Sequence, residues 1–107
     1  MISLGAQEVW GMDVIEILKS NEGLIRRRYG VSKIGVFGSF TRGQERQDSD
    51  VDVIVYFNED SENFDNYIEL KYFLEEAFGR NVDLVMVDAL KPQLKNEILN
   101  EVVYVYA

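Results

Sequence analysis

Residues 33–57 read KIGVFGSFTRGQERQDSDVDVIVYF, and this stretch decides the fold. Lys33–Phe37 is a short apolar run of strand character that stops at Gly38-Ser39. A polar, glycine-containing segment follows from Thr41 to Ser49, and then Asp50–Phe57 alternates clearly. Val51, Val53 and Val55 fall on one face of this second strand, and Asp50, Asp52 and Ile54 fall on the other. The link between the two strands is too short for a crossover helix, which predicts antiparallel neighbours.

Working outward, Gly11–Tyr29 sets Met12, Ile15, Leu18, Leu24 and Ile25 at helical spacing, with Asp13 placed to cap the start and Gly30 to stop the helix. Gly23 is its weak point. Downstream, Asn58–Asn63 is a polar turn. Phe64–Phe78 reads as a second helix, with Phe64, Ile68, Leu70, Phe73, Leu74 and Ala77 mostly on one side and Gly79 ending it. Asn81–Val87 is a third strand, and the helix before it permits a parallel pairing with the second. Pro92 suits the first turn of a last helix running to about Asn100, in which Leu94 and Ile98 face inward. Val102–Tyr106 is a closing β-like segment. The reading is an α/β (α+β) chain with a small mixed β-sheet and helices packed mainly on one side. It forms one domain over residues 1–107, with residues 1–10 as a loose extension.

Composition narrows the chemistry. With 19 acidic against 11 basic residues the formal net charge is −8, a field that opposes binding of a nucleic-acid polyanion. The basic run Arg26–Arg28 is read as a solvated helix end. There is no cysteine and no histidine, which removes thiolate metal sites and the commonest acid–base group. Catalysis is left to carboxylates, hydroxyls, Lys or Arg. The first ten residues lack the basic and apolar regions of a signal peptide, and no run reaches membrane-spanning length. The expected location is the cytoplasm.

Asp50-Val51-Asp52 is the strongest chemical feature. Residues two apart in a strand point the same way, so the two carboxylates crowd each other. One is driven to hold a proton unless a cation intervenes, and magnesium suits one or two carboxylates plus substrate phosphates. Taken alone, such a pair is more often a solvated sheet face. Two further features shift the balance. Gly38-Ser39 offers backbone amides and a hydroxyl at a strand end, where phosphate oxygens are readily held. Asp83 is isolated in the apolar strand NVDLVMV, opposite Val82, Leu84 and Met86, and it meets Asp50 and Asp52 if the two strands are neighbours.

GSFTRGQERQDSDVD, Gly38 to Asp52, has Gly-Ser, ten residues, then D-x-D. It resembles the signature of the DNA polymerase beta-like nucleotidyltransferase superfamily. FGSFTRG, SDVDVIVYF, FDNYIELKYFLEEAFGRNVDLVMVDALKP and NEILNEVVYVYA together are similar to its minimal nucleotidyltransferase (MNT) branch, over roughly Met12 to Tyr106. The resemblance implies the polymerase beta-like fold. It also implies that Gly38 and Ser39 hold a triphosphate, that Asp50 and Asp52 bind two magnesium ions, and that Asp83 completes the site. Arg42 and Gly43 match the family's Arg-Gly, and Arg42 either reaches phosphate or braces the loop through a salt bridge. Ser49 reads as a turn residue. Asp83 is the expected general base, or the ligand nearest the attacking hydroxyl.

The resemblance further implies ATP as substrate. It implies transfer of AMP to a tyrosine of a HEPN ribonuclease toxin, for which such a chain is the antitoxin. Two alternatives stand beside it: a dimeric small-molecule nucleotidyltransferase of the aminoglycoside-modifying kind, and a toxin-masking module with little catalysis. A homo-oligomer is compatible with all three. Tyr56, Phe57, Phe64, Tyr67, Tyr104 and Tyr106 are candidates for a partner-facing surface, about half of them expected to be core instead.

Overall fold

The computed structural model describes residues 11–44, 46 and 49–105. The expected loose extension at residues 1–10 lies outside them, as does Tyr106. Helix α1 (Gly11–Tyr29) leads into strand β1 (Val31–Phe37), followed by a short helix α2 (Ser39–Arg42) and strand β2 (Val51–Phe57). Helix α3 (Phe64–Phe78), strand β3 (Val82–Met86), helix α4 (Pro92–Glu101) and strand β4 (Val103–Val105) complete the order, with 3-10 turns at Glu59–Ser61 and Val87–Ala89.

The four strands form one sheet in the order β3-β2-β1-β4. β1 pairs antiparallel with β2, and β2 pairs parallel with β3, both as their link lengths require. β4 adds antiparallel to the far side of β1. Several local expectations are corrected, among them the inward-facing Leu94, which is exposed on α4. β1 starts at Val31 rather than Lys33, with its register shifting between those two residues. Asp13 lies inside the first turn of α1 rather than capping it. The chain after Gly38 first makes a helical turn, an element not expected from the sequence.

Alternation along the strands builds the core. Val51, Val53 and Val55 are fully buried, and with Val82, Leu84, Ile34 and Val36 they meet Val14, Leu18 and Ile25 of α1 and Leu70, Leu74 and Phe78 of α3. α3 is capped by the Asn63 side chain, which accepts from the Asn66 amide at 2.8 Å, and is closed by Gly79. The opposite face is not bare. Ile54 is fully buried beside its register partner Gly35, and a Cβ on Gly35 would collide with Val102 and sit 2.9 Å from the Val103 carbonyl oxygen. A glycine in β1 therefore lets the end of α4 press onto the sheet. That contact brings Glu101 to the end of β1 where the candidate site lies.

Among the aromatics proposed for a partner surface, Phe64 is exposed, while Tyr56, Phe57, Tyr67 and Tyr104 are partly buried. The Tyr67 hydroxyl donates to the Leu84 carbonyl, and Tyr56 and Tyr104 share a hydroxyl–hydroxyl bond of 2.8 Å beneath Lys33. The Arg26–Arg28 run is exposed in the last turn of α1, where Arg26 pairs with Glu22. No helix among the described residues is long and apolar enough to cross a membrane.

Candidate active site

The register of the sheet brings the acids together. Asp52 on β2 is the direct partner of Asp83 on the parallel strand β3, and of Phe37 on β1. Neighbouring strands lie about 4.8 Å apart, so the Asp52 and Asp83 side chains leave the same face as close neighbours. Asp50 stands just before β2, two residues from Asp52. Asp50 and Asp83 are exposed, whereas Asp52 is partly buried.

The electrostatics follow from that crowding. The Asp52 carboxyl is pushed from its usual 3.8 to about 6, first by burial and then by the charges of Asp83 and Asp50. Arg42 works against this rise and Glu101 adds to it. The cluster is thus short of positive charge.

Gly38 closes the site on the β1 side. Its φ of 78° and ψ of −148° belong to a region that only glycine occupies readily, and a Cβ there would clash with the Asp52 carboxylate. The Gly38 carbonyl accepts from the Thr41 amide and hydroxyl, which folds the chain into α2 and sets Ser39 at the first turn. Ser39 and Asp52 are both partly open to solvent. Of the two roles open to Arg42, this structure displays the brace. Its Nη1 donates to both Glu101 carboxylate oxygens, at 3.1 and 3.0 Å, and its Nε to Gln44 at 3.1 Å. Ser49 is a turn residue, its hydroxyl accepting from the Arg46 amide at 2.7 Å.

Two residues of the site have no mark in the sequence. Glu101, at the end of α4, holds Arg42 and also accepts from the Gly38 amide at 3.0 Å. Arg80, just past α3, donates from Nη1 to the carbonyls of Arg46 and Ser49, at 2.9 and 3.0 Å, and its guanidinium lies over the Phe40 ring. Arg80 therefore ties the approach to Asp50 to the helical turn after Gly38. Arg80→Ala is expected to cost about 1–3 kcal/mol of stability by loosening that approach, the size of effect that one or two lost charge-assisted bonds produce. Arg80→Lys recovers only part, because an ammonium cannot both stack on Phe40 and bridge two carbonyls. Denaturant titration of the two variants checks this.

The donor set suits a hard, oxygen-seeking cation: three carboxylates, no sulfur or imidazole, and an acid whose proton affinity is raised by its neighbours. Among the described residues no group of three or more acidic side chains is gathered tightly enough to hold an ion unaided. Magnesium commonly takes one or two carboxylates and completes its shell from phosphates and water, so the residues present fit an ion that binds together with a triphosphate.

The chain as a whole matches known proteins. Residues 13–105 match the family described as nucleotidyltransferase domain. The chain is 44% identical over 93 residues to protein adenylyltransferase MntA of Thermococcus cleftensis, a match covering 87% of this chain and 93% of that protein. It superposes with a TM-score of 0.69 on a structure assigned as a minimal nucleotidyltransferase, at 34% identity, over 83% of this chain and 93% of the other. A complex of a tri-AMPylated Shewanella oneidensis HEPN toxin with an MNT antitoxin gives a TM-score of 0.61 at 19% identity, covering 87% of this chain and 72% of the other. At that identity it speaks for the fold alone.

Proposed function

This chain belongs to the nucleotidyltransferase domain family, and we propose that it is a magnesium-dependent protein adenylyltransferase moving AMP from ATP to a hydroxyl. The acceptor is a tyrosine of a HEPN ribonuclease toxin, and the chain acts as its antitoxin in the cytoplasm. We read it as a single catalytic domain. The observation that carries the chemistry is the pairing of Asp52 with Asp83 across β2 and β3, directly beside Gly38. The name of the Thermococcus relative supports protein as the acceptor class, and the MNT resemblance supports the toxin.

The order of elements across the sheet gives the reaction a direction. Asp83 is on the edge strand, Asp52 on the next, and Gly38 follows β1 beyond it. The acceptor hydroxyl enters at the Asp83 edge, where the exposed carboxylate takes its proton. The oxygen attacks the α-phosphorus, which sits over Asp52. The bond from that phosphorus to the bridging oxygen breaks, and pyrophosphate leaves toward Gly38, Ser39 and Arg42. The Ser39 hydroxyl and the amides of this turn donate to the departing phosphate oxygens. Magnesium held by Asp50, Asp52 and Asp83 would neutralise the triphosphate and acidify the hydroxyl. Positioning and charge neutralisation supply most of the acceleration in such transfers.

The test is co-expression with a HEPN-type protein encoded beside this chain, followed by intact-mass measurement of that protein. The expected result is a gain of one or more AMP units on a tyrosine, lost in Asp50→Ala. Full neutralisation of the toxin with no added mass, by wild type and variant alike, contradicts the proposal and favours a masking module.

A further inference from the structure

We propose that Glu101 is a positioning residue for the phosphate-holding turn, acting through Gly38 and Arg42; the inference rests on the nucleotidyltransferase reading of the site. Among the described residues its carboxylate is the side chain that joins both. One oxygen accepts from the Gly38 amide at 3.0 Å and from Arg42 at 3.1 Å, and the other accepts from Arg42 at 3.0 Å. Glu101 is about a quarter exposed and Arg42 about half, so the pair is sheltered on the glutamate side and open on the arginine side. About half of the Arg42 side chain remains open to solvent.

The geometry explains how a helix outside the motif controls it. Gly38 holds a backbone conformation that its own carbonyl bonds fix on one side only, through Thr41 and Arg42. The amide on its other side is fixed by Glu101. Arg42 carries four side-chain torsions, and an arginine held by a two-oxygen partner loses less freedom when it meets a phosphate. Glu101 is delivered by α4, whose end is seated on Gly35 through Val102. The last helix and strand thus hold the turn that faces the β- and γ-phosphates, and at the Asp52 end Glu101 adds only its charge.

The experiment is calorimetric titration of a non-hydrolysable ATP analogue and of AMP, each with magnesium, into the full chain and its Glu101→Ala, Glu101→Gln and Arg42→Ala variants. Glu101→Ala is expected to weaken the triphosphate about tenfold and AMP less than about twofold, since AMP lacks the phosphates that the turn faces. Glu101→Gln keeps an acceptor for the Gly38 amide and falls between. In the Arg42→Ala background, Glu101→Ala adds a smaller further loss, the part carried by the Gly38 amide. Equal weakening of both nucleotides marks Glu101 as merely structural and overturns the inference. So does unchanged or tighter triphosphate binding by Glu101→Ala and Glu101→Gln, the latter meaning that the carboxylate competes with phosphate. Failure of the wild-type chain to bind the triphosphate at all overturns the underlying reading of the site and the inference with it.

Discussion

Asp52→Asn is expected to abolish AMP transfer, by about 10³-fold or more, and to make the protein more stable above pH 6. The rate loss follows from removing the carboxylate central to the cluster, where one preorganised charge-stabilising group is worth at least about 10²–10³ in rate. The stability gain follows from the same charge. Burial and the neighbouring Asp83 and Asp50 raise the Asp52 carboxyl from 3.8 to about 6. A group whose folded pKa lies above its unfolded value takes up a proton on folding. Its contribution to stability is whole below about pH 4 and is lost as the pH rises through about 6. Asparagine cannot ionise, so the variant escapes that loss. Thermal melts of the two proteins should coincide near pH 4 and separate above pH 6, with the variant melting higher. Magnesium with nucleotide should close the gap for the wild type only. Equal melting temperatures from pH 4 to pH 8, or retained transfer, would show that Asp52 does not sit in an uncompensated acidic cluster.

Gly38→Ala should cost about 3 kcal/mol of stability or more, and activity as well. Two effects add. A φ of 78° with a ψ of −148° is strained for any residue with a Cβ, at about 1–3 kcal/mol. The new methyl would also collide with the Asp52 carboxylate. The two can be separated. In an Asp52→Ala background the collision with the carboxylate disappears, leaving the backbone strain and a Cβ contact of 3.3 Å, so the cost of Gly38→Ala should fall by about 1 kcal/mol or more. Gly43→Ala is the control, since Gly43 also has positive φ but nothing lies within 4 Å of its Cβ position. It should show the smaller, backbone-only penalty of about 1–2 kcal/mol in both backgrounds. Denaturant titrations of the five variants measure all these differences. Equal costs for Gly38→Ala in the two backgrounds would mean that Asp52 is not packed against the turn.

The features legible in the sequence are those written in local patterns. Val51, Val53 and Val55 alternate with Asp50 and Asp52, which fixes the face of β2 in the core. The length of the Phe37–Asp50 link sets the antiparallel pairing, and the helix Phe64–Phe78 allows the parallel one. Gly38-Ser39 before the acidic pair marks a turn that approaches something closely. The register that makes Asp83 the partner of Asp52, rather than of Asp50 or Ile54 two steps away, has no local sign, because a two-residue slip keeps every side chain on its own face. α2 is only four residues long, too short for any periodicity. Glu101 and Arg80 escaped for a different reason. Each acts on residues far away in the chain, and an isolated Glu at a helix end or Arg after a glycine looks like ordinary surface. Val102 against Gly35 is likewise visible only once β4 is placed beside β1.

The central claim is that Asp50, Asp52 and Asp83 grip a divalent cation against the phosphates of a nucleotide beside Gly38. Manganese is a spectroscopic substitute for magnesium. Its electron spin resonance signal, followed as the protein is added to manganese and a non-hydrolysable ATP analogue, reports the cation directly. Wild-type protein should take up the manganese–nucleotide complex with the signal broadened by phosphorus coupling, while Asp52→Asn and Asp83→Asn lose at least about tenfold in affinity. Unchanged uptake by both variants would contradict the account.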